Sequence, residues 1–292
     1  MMKNQDLTRR CFLGAGAALT AYGAPARRVS KLRFGLTTYQ WGADWDIPTI
    51  IANCTKAKAF SVEMRTTANY KHGVETGIGD ARRREVKKMF AGSPVKLVGI
   101  ASAARFDSPD PAKLAAAIED GKAHVKLSHD VGSSGIRVFP NDWQKNVPEE
   151  KTIAQIAQAM NTLGKFAADF NQEIRIENHG SAGRLTTLRK ILDQVDQKNV
   201  GVKLNCDAKD AAGDGFAANF ALVKGRLAHT MHIRDPRRPE FPYQLQWDLL
   251  IDAGWQGWCL VEETTKVPDR LQALIDVREA WEKQIAQSLR RV

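Results

Sequence analysis

The chain has 292 residues, of which 43% are hydrophobic and 26% charged. That balance excludes a disordered chain, a collagen-like chain and a polytopic membrane protein. A formal net charge of +10 makes a polyanionic partner a class to weigh. The four cysteines are too few and too irregularly spaced for a disulfide scaffold or a zinc ribbon, and the chain is long enough to bury a large core without them.

The N-terminus reads Thr8-Arg9-Arg10-Cys11-Phe12-Leu13, followed by a mildly apolar Gly/Ala stretch to Gly23 and then Ala24-Pro25-Ala26. A charged start, a short apolar run and an A-x-A exit form the pattern of a signal peptide. The run is too short and weak for a membrane span. The Arg pair before Phe-Leu resembles a twin-arginine signal, so residues 1–26 are expected to export a folded protein to the periplasm. Cys11 lacks the small residues expected before a lipidated cysteine. Cys54, Cys206 and Cys259 would remain, an odd number that reads as buried small hydrophobes, with one bridging pair left open.

From residue 33 onward, β-rich runs alternate with helical patterns. Strands are expected from near Arg33, Phe60, Val95, Ser134, Glu173, Val200, Leu227 and Gly257. The clearest helix runs from Glu149 to Phe170, where Ile153, Ile156, Ala157, Met160, Leu163 and Ala167 recur at three and four residues. Others are expected between Asp110 and Val131, with Pro at the first turn, from Leu185 to Val195, and from near Pro268. Eight strand–helix units predict an α/β fold, a single (β/α)8 TIM barrel over residues 27–292. A doubly wound sheet would want a Gly-rich phosphate loop after an early strand, and none is present.

Catalytic groups in such a barrel sit at the C-terminal ends of the strands. The polar residues there are Glu63 and Arg65, then Glu177, Asn178 and His179, then Asn205 and Asp207. His232, Arg234 and Asp235 follow, and last Glu262 and Glu263. Glu177, Asn205, His232 and Glu262 come from four successive strands at spacings of 28, 27 and 30 residues. Their O and N donors suit a divalent metal such as Mn, Co, Zn or Mg. Any one of them alone would read as a core ion pair or a surface charge.

The runs Ile174-Arg-Ile-Glu-Asn-His-Gly180, Val200-Gly-Val-Lys-Leu-Asn205, His229-Thr-Met-His-Ile-Arg-Asp235 and Leu260-Val-Glu262 resemble the sugar phosphate isomerase/epimerase family of xylose isomerase-like TIM barrels. Phe60-Ser-Val-Glu-Met-Arg65 and Gly135-Ile-Arg-Val-Phe-Pro-Asn141 extend the resemblance over nearly the whole chain after residue 26. It implies that Glu177, His232 and Glu262 bind metal and that Glu177 and Glu262 form an acid/base pair. They would move a proton between adjacent carbons.

The chain departs from that pattern in two places. The sixth-strand ligand of the family is usually Asp in a Leu-Asp-x-Gly-His run; here Asn205 and Ala208 stand at those positions. Asp207 is two residues on and is expected to share the direction of Asn205 if the strand continues, as a substitute ligand. The third strand, Gly99 to Ala104, carries no His or Glu. The neutral Asn205 predicts metal that is weakly held or lost, and both departures count against isomerase activity.

Strand parity places Arg175 and Lys203 two residues before Glu177 and Asn205, facing the barrel interior one layer deeper. They are expected to hold the carboxylates ionised, with Glu63 and Arg137 also inward. Glu63, His179, Arg234 and Trp41 are the substrate-binding candidates. Tyr39, Gln40 and Trp41 would line the mouth, and Trp41 or Trp45 could stack on a sugar ring. His72, His124 and His129 are expected to be solvated, as is the Arg82-Arg83-Arg84 face with Lys87 and Lys88.

These residues predict an exported, metal-assisted isomerase or epimerase acting on a small carbohydrate, by proton abstraction next to a carbonyl. A 3-keto-glycoside lyase or hydrolase and a non-catalytic carbohydrate-binding barrel are the alternatives. Apurinic endonuclease chemistry needs more strand-end histidines than His179 and His232, so nucleic acid is not expected as a partner. A homo-oligomer is compatible with the sequence.

Overall fold

The computed structural model describes residues 28–291 except residue 68. The segment read as an export signal lies outside the described residues. Eight parallel strands form one sheet: β1 (Arg33–Thr37), β2 (Ser61–Arg65), β3 (Lys96–Arg105), β4 (Gly135–Phe139), β5 (Glu173–Glu177), β6 (Val200–Lys203), β7 (Thr230–Ile233) and β8 (Trp258–Val261). Their order is β6-β5-β4-β3-β2-β1-β8-β7. The two outer strands meet where the Ala228 and His232 amides donate to the Val202 and Leu204 carbonyls, each at 2.8 Å. The sheet therefore curls into a nearly closed TIM barrel.

A helix follows each strand: α1 (Ile47–Lys56), α2 (Asp80–Ala91), α3 (Pro111–Asp130), α4 (Glu149–Ala168), α5 (Leu185–Leu192), α6 (Phe216–Val223), α7 (Tyr243–Asp252) and α8 (Arg270–Leu289). Local chemistry sets their starts. Asp46, Asp110 and Asp269 each accept a hydrogen bond from a first-turn amide of α1, α3 and α8, which satisfies donors the helix itself cannot. Pro48 and Pro111 stand where no amide is needed. In α4 the expected stripe from Ile153 to Ala167 is buried against the sheet.

Alternation along the strands separates two environments. Ile136, Val138, Ile174, Ile176, Val202 and Ile233 join the large apolar core shared with the helices. The opposite parity faces the barrel axis and carries Glu63, Arg137, Arg175, Glu177, Lys203 and His232, all at most 1% exposed. Charges this deep are tolerated only when paired. Gly99 on β3 makes room for them: a Cβ there would lie 2.7 Å from Glu63 Oε2 and 3.0 Å from Arg175 Nη1. The bare third strand is thus bare because charged side chains of β2 and β5 fill its space.

Cys54, Cys206 and Cys259 are all free and buried. Among the described residues, no helix is long and apolar enough to cross a membrane.

Candidate active site

Glu177 ends β5, His232 lies in β7, and Glu262 follows β8 by one residue. Each offers a ligand atom, and these atoms all lie within 4.8 Å of one another. His232 Nδ1 sits 3.2 Å from Glu177 Oε2 and 3.3 Å from Glu262 Oε2. It is buried and forms no hydrogen bond. The other ring nitrogen, Nε2, is 2.6 Å from Glu63 Oε1. A buried, unpartnered imidazole nitrogen between two carboxylate oxygens fits a divalent cation, because two anionic O donors and one N donor suit such an ion. Glu177, His232 and Glu262 are the residues that would hold it.

Electrostatics keep the cluster ionised. Burial works against the charge on Glu177, but Arg137 and His232 override it and hold its carboxyl well below the usual range. Arg137 Nη1 reaches Glu177 Oε2 at 3.2 Å. Burial likewise opposes charge on His232, yet the carboxylates of Glu262, Glu177 and Glu63 push its pKa up to about 10. Without a cation the ring is therefore protonated, and a bound metal would have to displace that proton. Glu262 is also lowered, against burial, chiefly by His232, and its Oε1 lies 3.5 Å from Arg65 Nη1.

Several expectations need correction. Asp207 does not replace Asn205 near the cluster. The β6 strand ends at Lys203, and Cys206 turns the chain with a φ of +48°, so the two-residue alternation stops. Asp207 instead caps the next short 3-10 turn, accepting from the Lys209 amide at 2.9 Å. Asn205 remains at the site, but its Nδ2 donates to Glu177 Oε1 at 2.9 Å. Glu63 is fully buried beneath the cluster rather than at a substrate surface. It is held by Lys203 Nζ at 3.0 Å and by the Thr37 hydroxyl at 2.9 Å. Trp41 is buried too, its Nε1 donating to the Thr265 carbonyl at 2.8 Å, so it braces two loops and offers no stacking face. Trp45 is also buried in the core.

The charged layer lies inside the barrel with its expected members, but their pairings differ from expectation. Lys203 holds Glu63, and Arg137 holds Glu177. Arg175 turns toward the other end, to Glu173 at 2.7 Å, the Val98 carbonyl at 2.6 Å and Ser134 Oγ at 2.8 Å. His72 and His124 are buried rather than solvated, bonded to Val74 and Thr38 and to Thr66 and Asp120 respectively. His129 is half-exposed. Thr37 and Arg65 complete the site; Thr37 escaped notice because one strand-end threonine is an unremarkable residue in sequence.

A cavity of about 610 Å³ opens among the segments after β5, β6 and β7; its lining includes His179, Gly180, Asn205, Asp207, Arg234 and Arg238, and it adjoins the cluster through Asn205, the partner of Glu177. His179 is exposed with its ring 4.6 Å from that of Phe139. Arg234 is exposed as well, and its amide is fixed by the Tyr243 hydroxyl at 2.8 Å. Both sequence-derived candidates therefore line this cavity.

Eight parallel strands with buried carboxylates and an imidazole at their C-terminal ends define a TIM barrel whose polar cluster lies at the end where such barrels carry their active sites. The xylose isomerase-like TIM barrel family matches residues 51–291, and the chain belongs to that family. Among solved structures it is similar to a 3-keto-D-glucoside 4-epimerase from E. coli, at 14% identity and a TM-score of 0.70, over 87% of this chain and 99% of the other. An L-ribulose 3-epimerase gives 13% identity and 0.72, over 88% and 95%. The IolI protein with a bound zinc atom gives 14% identity and 0.74, over 89% and 99%. A search among curated proteins finds no match.

Proposed function

We propose that this chain is a metal-assisted sugar isomerase or epimerase that moves a proton next to a carbonyl. The observation that carries the reading is the unpartnered His232 Nδ1 between Glu177 and Glu262. A divalent cation held there would polarise carbonyl and hydroxyl oxygens of the substrate. Zinc is the first metal to try, since the IolI structure holds one.

The two carboxylates have distinct tasks. Both oxygens of Glu177 already accept hydrogen bonds, from Asn205 and Arg137, which makes it the weaker base. The Glu262 side chain is 9% exposed against 1% for Glu177. Glu262 therefore takes the proton from the carbon next to the carbonyl, leaving an enediolate. For isomerisation Glu262 returns that same proton to the neighbouring carbon; for epimerisation Glu177 takes a proton from water and delivers it to the opposite face, while Glu262 releases its own to water. His179 and Arg234 orient the sugar from the mouth.

The substrate class is a free or oxidised sugar, including a 3-keto glycoside, the kind of compound named for one structural neighbour. Elimination from such a glycoside begins with the same proton abstraction. Residues 1–26 direct export by the twin-arginine route; replacing both Arg9 and Arg10 by Lys is expected to retain the protein in the cytoplasm, and unchanged export refutes it.

The test is an activity screen with added zinc, manganese or cobalt on D-fructose, D-psicose and 3-keto-glucosides. Glu262→Gln and Glu177→Gln are expected to lower turnover by roughly 10²- to 10⁴-fold. Unchanged turnover in both rejects the acid/base pair. Sugar binding without metal or turnover replaces this reading with a carbohydrate-binding barrel.

A further inference from the structure

We propose that Glu63 positions His232. By accepting a hydrogen bond from Nε2–H it fixes the ring tautomer that turns the Nδ1 lone pair toward a cation between Glu177 and Glu262. The inference rests on the metal-assisted reading above.

A neutral imidazole carries one N–H, and the partner of one nitrogen decides which nitrogen is free to bind a metal. Glu63 Oε1 lies 2.6 Å from His232 Nε2. An ionised carboxylate can only accept, so Nε2 must donate, and it is Nδ1 that gives up its proton and offers its lone pair when a cation binds. Burial opposes the charge on Glu63, but its neighbours keep it ionised and still. Lys203 Nζ donates to Oε2 at 3.0 Å and also to Thr230 Oγ1 at 3.1 Å. The Thr37 hydroxyl donates to Oε1 at 2.9 Å. The side chain is fully buried, with no solvent to compete. Gly99 leaves the space that Oε2 occupies, as any Cβ there would strike it.

The composition of the cluster makes this arrangement matter. Asn205 brings no charge, and Arg137 draws on the Glu177 oxygen that faces Nδ1. Two carboxylates, one of them partly neutralised, are all the anionic donors available. An imidazole made more basic by a carboxylate behind it offsets part of that deficit.

Zinc is titrated into the full chain in competition with a chromophoric chelator. Glu63→Gln keeps the shape but cannot satisfy both Nε2–H and Lys203. It is expected to weaken zinc by roughly 10- to 100-fold, with secondary structure retained. A merely structural role would lower thermal stability and leave the zinc affinity of the folded protein alone; that result overturns the proposal. The ¹⁵N spectrum of the zinc-loaded wild type, with His232 assigned by its loss in His232→Asn, decides the matter even if Glu63→Gln does not fold. Protonated Nε2 with metal-bound Nδ1 supports the proposal, and the reverse tautomer overturns it. Zinc absent from the wild type overturns both this proposal and the metal reading. Zinc bound in the expected tautomer without turnover of any sugar leaves Glu63 in its role and removes only the isomerase assignment.

Discussion

Replacing Lys203 by Met tests the charged layer most directly. Lys203 and Glu63 are both completely buried and 3.0 Å apart. At that distance, with an effective dielectric of about 20, their attraction is about 5–6 kcal/mol. Removing the ammonium also removes its own desolvation cost, but leaves the Glu63 carboxylate buried without that cation. Breaking such a pair costs about 3–5 kcal/mol. The protonated His232, 2.6 Å from Glu63, takes over part of the neutralisation and draws the loss toward the lower figure. For a domain of this size each kcal/mol moves Tm by about 2 °C, so Tm is expected to fall by about 6–10 °C. Thermal and urea unfolding followed by circular dichroism give the measurement. The double variant Lys203→Met/Glu63→Gln removes both charges and recovers most of the loss, giving a coupling of about 2 kcal/mol or more. A single variant within about 2 °C of wild type, or a double variant whose loss is the sum of the two singles, refutes the buried pair as a source of stability.

Three further outcomes are expected. Burial opposes the charge on Glu173, but Arg175 and His229 hold its carboxyl at about 2. Its folded value lies below the unfolded one, so its contribution of about 3 kcal/mol is present above pH 4.5 and lost as pH falls toward 2. Glu173→Gln should flatten that acid limb in a Tm–pH series. Asp210 behaves oppositely: burial first, and then the charge of Asp207, raise it to about 8. Folding then favours its protonated form, and stability drops as pH climbs from about 4 to 8. Asp210→Asn should match wild type near pH 4, still meeting Asn178, and exceed it in Tm at pH 8. Gly180 adopts φ +76° and ψ −175°, and a Cβ there would lie 2.0 Å from the Asn141 carbonyl oxygen. Gly180→Ala should cost at least about 1–3 kcal/mol and, by displacing His179, raise KM for the sugar more than it lowers kcat.

The barrel was legible in the sequence because its two hydrophobic periods do not overlap. Strand starts fall within one residue of expectation except in β7, where Leu227 forms only an isolated bridge to Val202 before the ladder begins at Thr230. Glu177, His232 and Glu262 were legible as strand-end residues that an apolar run would not otherwise tolerate. Parity shows which face a side chain takes, but not how long the strand lasts, and Asp207 was misplaced for that reason. Nor does parity show in which direction along the barrel axis a long side chain reaches. Arg137 and Arg175 are register partners on neighbouring strands. Two guanidiniums at one level repel each other, so they part: Arg175 goes to Glu173 and Arg137 to Glu177. Which of them serves the site depends on where the carboxylates of the next layer stand. The buried histidines follow the same logic. His72 and His124 read as loop and helix polar residues, yet both ring nitrogens of each find partners, and a satisfied imidazole loses its reason to stay in water. The polar interior of this barrel is therefore largely a set of pairings, and among the described residues they leave His232 Nδ1, with Nε and Nη2 of Arg137, without a hydrogen-bond partner beside Glu177.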